Sequence, residues 1–427
     1  MFPASNRRGL SPGFPLLLAT LALVAPDASH ATPAPLTLDE ALRRTRASHP
    51  LLLAARHEVA GSRALERDAR RGPQPGLTAT LENFGGGLDA DRSEATLTLE
   101  RMLELGGDGS ARRAEAEAGT RLATAEQELL LNELEAATVE AFCSAWLAEQ
   151  RSVRLRDAVS DADAATRAAA ERLRVGAAPA HEELRARADR AVRVAELRQA
   201  ERDLALARSA LTRHWSAPAD EVGTVELPEV GDYAPPDWAA LAARVGTQPE
   251  ARQRAAERLR AESALRSARA RRVPDLTLAA GARHLAEVPG TGFVASVSLP
   301  LPTPGTGRGA VEAANASRSA AESRADATTA RLLDAARSAR ERVAAAIAGR
   351  RELREQALPA AEAALRALTE GFRAGRFSYL EVQSGQRGLL EARLLDLELT
   401  AEVWRSRLEL ERWMSPPAER DGTGGSR

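Results

Sequence analysis

A chain of 427 residues with 59 basic and 60 acidic side chains carries a formal net charge of −1 and has no bulk attraction for nucleic acid. Arginine supplies all of the fixed positive charge, since no lysine occurs, and aromatic residues make up only 3%. This Ala-, Arg-, Leu- and Glu-rich composition suits long helices and coiled coils, while the six scattered histidines have no metal-ligand spacing.

At the N-terminus, Arg7 and Arg8 precede the apolar run Leu16 to Ala25, and Ser29 and Ala31 occupy the −3 and −1 positions of a cleavage site before Thr32. Residues 1–31 therefore read as a secretory signal peptide. The run is shorter than the ~20 residues that a bilayer-spanning helix needs. No cysteine follows the cleavage site to accept a lipid, and no later segment is a candidate membrane helix.

The remainder is a tandem duplication. His49-Pro50 returns as Gln248-Pro249, Pro75 with Leu77-Thr78 as Pro274 with Leu276-Thr277, and Gly106 as Gly305. Arg174-Val175-Gly176 returns as Arg373-Ala374-Gly375, and Leu211 with Arg213 as Leu410 with Arg412, always at an offset of 199 residues (50 to 249). Internal repetition of this kind is the first thing to establish about a fold. The domains are then a first repeat over 32–215, a Pro-containing linker over 216–236, a second repeat over 237–414, and a disordered tail over 415–427.

Each repeat predicts the same order of elements. A helix comes first (51–71; 250–272), followed by two short alternating segments and a very long, uninterrupted helix (110–175; 309–374). A glycine-containing turn and a second helix complete the repeat. About 66 residues at ~1.5 Å each make a rod of ~100 Å. Within the first rod, Val139, Phe142, Cys143, Trp146 and Leu147 form one apolar stripe, so the single cysteine reads as a small buried hydrophobe rather than a reactive thiol. The closing helices carry heptads, Leu390, Leu394, Leu397, Ala401, Trp404 and Leu408 in one, and Leu197, Ala200, Leu204, Ala207 and Leu211 in the other. A 3.5-residue period means helices packed side by side.

The alternating segments are Leu77 to Leu81 with Ala95 to Leu99, and Leu276 to Ala280 with Val294 to Leu299. Glycine-containing loops, Gly85-Gly86-Gly87 and Gly290-Thr291-Gly292, separate each pair. Period-two alternation gives one apolar and one polar face. A constant offset aligns Leu97 with Ser296 and would invert the faces, which a one-residue slip, compensated near Gly305, would correct. Phe84 and Phe293 are the only candidates for an aromatic girdle. From the residues alone, the strands suit either a soluble hairpin capping a coiled coil or part of a membrane barrel, and four strands close a barrel only if several chains combine.

Further motifs narrow the choice. The opening Leu38-Asp39-Glu40-Ala41-Leu42 with His49-Pro50, the duplicated layout, and the turns around Gly176 and Gly375 resemble the TolC-like outer membrane factor family over nearly the whole mature chain. The strongest stretch is Gly375-Arg376-Phe377-Ser378-Tyr379-Leu380-Glu381-Val382, then Leu389-Leu390-Glu391-Ala392-Arg393. Glu104-Leu105-Gly106-Gly107 and Ser298-Leu299-Pro300-Leu301-Pro302 are most similar to the CzcC-type heavy-metal efflux branch. Asp108 departs from that branch's usual basic residue, and Thr303-Pro304-Gly305-Thr306-Gly307-Arg308 stands in place of its Asp/Arg-rich segment.

The resemblance implies a mainly helical fold with a small β part. Three chains would form a twelve-stranded barrel in outer-membrane lipid and a twelve-helix tube reaching across the periplasm of a Gram-negative bacterium. It implies a passive duct without a cofactor, joined through a periplasmic adaptor (membrane fusion protein) to an inner-membrane pump of RND type. Divalent heavy-metal cations are the implied cargo, and the linker with the tail would form an equatorial band. Carried over by position, the adaptor contact lies at Arg174, Val175, Gly176, Arg373, Ala374 and Gly375. An acidic pore ring falls on Glu381, with Glu182 at the matching first-repeat position. Read as residues only, Glu182 is better explained as a helix-start residue interacting with the dipole, whereas Glu381 suits either reading. The alternatives are a duct for drugs or for type I protein secretion, a periplasmic adaptor, and a secreted coiled-coil scaffold. Nothing indicates catalysis, since Gly85-Gly86-Gly87 lacks the helix and lysine of a phosphate loop.

Overall fold

The structure, a computed structural model, describes residues 35–83, 93–286 and 290–415. The signal peptide over 1–31, Phe84, the Gly85 to Gly87 loop and the tail beyond Ser415 lie outside the described residues. In chain order the elements are α1 (Leu38–Ser48), α2 (Pro50–Ala69), β1 (Gly76–Glu82), β2 (Glu94–Leu103), α3 (Asp108–Arg174) and α4 (Ala180–Thr212). The second repeat follows with α5 (Trp238–Ala243), α6 (Pro249–Ala270), β3 (Leu276–Leu285), β4 (Thr291–Ser298), α7 (Arg308–Glu352), α8 (Leu358–Arg373) and α9 (Tyr379–Met414).

Prolines punctuate both repeats in the same way. A residue before proline avoids the α region, so His49 (ψ 122°) ends α1 and Gln248 (ψ 142°) precedes α6. Pro50 and Pro249 then occupy the first helical turn, where a missing N–H costs nothing. The His49 imidazole accepts from the Leu51 N–H at 3.2 Å and so caps α2.

The 67 residues of α3 make a rod of about 100 Å. At its strand end α3 lies between α2 and α6, with α7 beyond α6; at its other end it lies between α4 and α9. The apolar core is strung along this strip rather than gathered at a centre. Small buried residues on α3, including Ala118, Ala125, Ala145, Ala162 and Ala169, let neighbouring helices approach closely. The α9 heptad meets this line through buried Leu390, Leu397, Ala401 and Trp404. At mid-height the linker crosses the helices as a strap. Leu36 forms a parallel bridge with Val225, and the Arg407 guanidinium lies 4.9 Å from both the Tyr233 and Trp404 rings.

The second long helix differs from the uninterrupted rod expected. Pro359 sits within it, where the first repeat has Ser160, and its ring clashes with the carbonyl four residues back. The chain relieves the clash with a π-turn over Leu353–Ala357, in which the Leu358 N–H reaches back five residues to the Leu353 carbonyl. Beside the turn, Arg354 donates twice to Asp396 of α9, at 2.8 and 2.9 Å, and Arg350 donates to Thr400 at 3.1 Å.

The four strands form one antiparallel sheet in the order β1-β2-β3-β4. Pairings of Leu99 with Leu77 and Ala280, and of Leu97 with Ala79 and Ala282, set the register. One face then carries Leu77, Leu81, Leu97, Leu99, Leu278, Phe293 and Val297, with Arg101 and His284 towards its two ends. All seven apolar residues are exposed, Phe293 to 96%. The opposite face carries Thr78, Thr80, Glu94, Thr96, Thr98, Ser296 and Ser298. Phe293, Ala295 and Val297 share the face of Leu97 while Ser296 does not, so the repeats are slipped by one residue here. Within the chain, β1 and β4 each pair on one side only.

Gly281 of β3 packs directly against the backbone of β2. A Cβ there would overlap the Leu97 carbonyl and the Thr98 backbone. Gly281→Val should cost about 1–3 kcal/mol by overpacking. It should lower the heat-dissociation temperature of the detergent-extracted assembly while helical circular dichroism is retained.

Candidate functional site at the paired helix turns

The long helices of both repeats reverse through glycine in the left-handed region, Gly176 at φ 73° and Gly375 at φ 76°. Each turn satisfies helix-end carbonyls in the same way. Gly176 N donates to Leu173 O at 3.0 Å and Ala177 N to Arg172 O at 2.8 Å. Gly375 N donates to Phe372 O at 3.0 Å and Arg376 N to Gly371 O at 2.8 Å. Only a residue without a Cβ takes this conformation freely. Arg174, Val175 and Gly176, like Arg373, Ala374 and Gly375, are exposed at the chain reversals.

The fold brings the two turns together through residues that the sequence reading did not single out. The Arg172 guanidinium lies 4.4 Å from the Phe372 ring centre and donates to the carbonyls of Phe377 (3.5 Å) and Ala177 (3.4 Å). It also faces Glu182 at 3.6 Å. One arginine thus touches both turns. Nearby, the fully buried Tyr379 donates its hydroxyl to Asp189 of α4 at 3.3 Å. Burial, and then the Asp189 charge, push that hydroxyl above its ordinary pKa. The duplication contained a signal for these positions. Arg172 and Asp189 align with Gly371 and Gly388, and the bare Gly371 surface is where the Phe377 ring rests, since a Cβ would overlap it.

The two glutamates differ in their surroundings. Glu381 closes a capping box, with Oε2 accepting from Ser378 N at 2.8 Å and Ser378 Oγ at 3.0 Å. Glu182 is half-buried beside Arg172, and its Oε2 makes no hydrogen bond. Glu381 is exposed.

At mid-height, Cys143 is fully buried, and desolvation pushes its thiol up to about 12. The His49 and His214 rings lie 6.2 Å apart, and burial lowers the pKa of each. Among the described residues, no group of three or more His, Cys, Asp and Glu side chains is arranged to hold a metal ion, and no helix is long and apolar enough to cross a membrane.

A helical strip ending in a four-stranded sheet, polar on one face and apolar on the other, is the build of a membrane duct. Residues 246–414 match the model of the outer membrane efflux protein family. The chain is 30% identical over 385 residues to the cobalt-zinc-cadmium resistance protein CzcC of Cupriavidus metallidurans, covering 88% of this chain and 90% of that protein. Its fold is similar to the outer membrane protein VceC of Vibrio cholerae, with TM-score 0.75, 20% identity, and 89% and 96% of the two chains covered. CusC follows at TM-score 0.67, 17% identity, and 95% and 99% coverage. The Campylobacter jejuni CmeC outer membrane channel gives 0.70, 14%, and 96% of both chains. The chain belongs to the outer membrane efflux protein family, whose members are passive channels and not enzymes. That membership sets aside the adaptor and scaffold readings.

The histidine pair has a consequence for stability. Folding holds both imidazoles below their ordinary value of 6.5, so their contribution is full above that pH and is lost as pH falls through the lowered values. His214→Gln should therefore flatten the fall in melting temperature between neutral and mildly acidic buffer.

Proposed function

We propose that three copies of this chain form an outer-membrane duct that conducts divalent heavy-metal cations from an inner-membrane pump and periplasmic adaptor to the exterior of a Gram-negative cell. The observation carrying the reading is the sheet. One face is apolar and exposed, the other is lined by hydroxyls and carboxylates, and both outer edges are unpaired. In hydrocarbon every backbone N–H and C=O needs a partner, and pairing β4 of one copy with β1 of the next supplies it. Twelve strands then close around a polar lumen. The helices suit the same ring. The two free sides of the strip are the α2–α4 side, with exposed Leu184, Val192 and Leu206 on α4, and the α7–α8 side. The cargo class follows from the cobalt-zinc-cadmium resistance relative. The strap over 216–236 serves as the equatorial band.

The exposed turns, at the end of the strip remote from the strands, are the adaptor contact. Gly375→Trp should abolish metal export while detergent-extracted protein keeps the mass of three chains. Full export by this variant would remove the docking assignment, and a one-chain mass for the parent would remove the duct.

Of the two glutamates, Glu381 is the better candidate for the pore ring. Glu182 is committed to Arg172, whereas Glu381 is exposed and uses only Oε2 in its cap. Three such carboxylates in a narrow mouth would concentrate cations. Divalent metal added at the turn end should block single-channel current, and Glu381→Gln should relieve the block. Unchanged block would leave Glu381 as a helix cap alone.

A further inference from the structure

We infer that the second-repeat turn carries the electrostatic part of docking, with Arg373 and Arg376 receiving carboxylates from the end of the adaptor's helical hairpin; this rests on the docking reading above. The two turns are equivalent by duplication but not in how their arginines are engaged. In the first, every arginine is engaged. Arg174 is held by Glu171 through two hydrogen bonds of 2.8 and 2.5 Å, and Arg172 is folded against Phe372 and Glu182. In the second, Arg373 and Arg376 are exposed, and among the described residues neither makes an ion pair or a side-chain hydrogen bond. Glu370 aligns with Glu171, yet it does not close on Arg373. Glu381, the next carboxylate along the chain, is taken by Ser378. Arg376 aligns with Ala177, and Arg172 with Gly371, so each turn carries two arginines in different places.

Apolar side chains lie beside these cations. Val175, Phe377 and Leu380 are exposed at the same end of the molecule, by 58%, 37% and 53%. An apolar patch flanked by two open guanidinium groups matches a hairpin end that presents an apolar side chain beside Asp or Glu. The planar fork of arginine bonds a carboxylate through two parallel hydrogen bonds. The same charge disfavours end-to-end association of two ducts, because their arginines would face one another. Charges at a rim act mainly on association rate and on its dependence on salt.

The test uses the full-length duct in nanodiscs and a purified periplasmic adaptor that binds it, with binding measured at low and high salt. The parent should bind faster at low salt, and the double variant R373Q/R376Q should lose about tenfold in association rate and most of the salt dependence. Charge reversal, R373E/R376E, should weaken binding further, and replacing the adaptor's hairpin-end Asp and Glu by Arg should restore it. An unchanged heat-dissociation temperature confirms that each variant is assembled. Val175→Asp supplies the separate control for docking. If Val175→Asp abolishes binding while R373Q/R376Q leaves rate and salt dependence unchanged, the carboxylate assignment is overturned and the docking reading survives. If neither variant alters binding, both are overturned.

Discussion

An α-helix of 67 residues has no interior of its own, and this constraint shapes everything around it. Each apolar side chain along about 100 Å needs a neighbour on another helix. The chain meets that need by placing α2 and α6 beside one end of α3, and α4 and α9 beside the other. Close approach over such a length needs small residues at the contacts, which accounts for the line of buried alanines on α3. Among the described residues, the buried aromatic side chains gather at two levels, the strap, with Phe142, Trp215 and Trp413, and the turns, with Phe372 and Tyr379.

Much of this was legible in the sequence because the relevant signals are periodic or repeated. The 199-residue offset, the heptads and the paired prolines located the helices, and the alternation in Leu97-Thr98-Leu99 located a strand and its faces. Even the slip between repeats was visible as a conflict over Leu97 and Ser296, which the pairing of Ala282 with Phe293 resolves. Two features were not legible. Pro359 was passed over within a segment otherwise rich in helix formers, and a π-turn leaves no periodic trace of its own. The Arg172 cluster depends on two turns 199 residues apart meeting in space, and only the mismatch of Arg172 with Gly371 hints at it. Cap chemistry, by contrast, was local, and the Ser378–Glu381 spacing already suited it.

The exclusive use of arginine fits the way polar contacts are made here. Arg112 reaches from α3 to the Ala69 and Arg71 carbonyls and to Glu104, joining the end of α2 to the strand connection. Arg172 and Arg354 likewise hold several acceptors at once. A fork with five donors bridges helices in a way that a lysine ammonium does not. Single surface pairs contribute little, so the value of these residues lies in positioning elements rather than in gross stability.

The π-turn alters the symmetry of the molecule. The offset of 199 holds on both sides of Leu353–Ala357, yet the wide turn absorbs one residue more than α3 does over the same stretch. Beyond it, each residue of α8 is rotated by roughly 100° and drawn back by about 1.5 Å relative to its counterpart on α3. In a three-chain ring, the strand end would come closer to repeating every sixty degrees, apart from the one-residue slip between the strand pairs. At the turn end the halves differ more, and such a ring would keep only its threefold axis. Two copies of one ancestral hairpin have thereby become an alternating pair of unlike teeth around the rim.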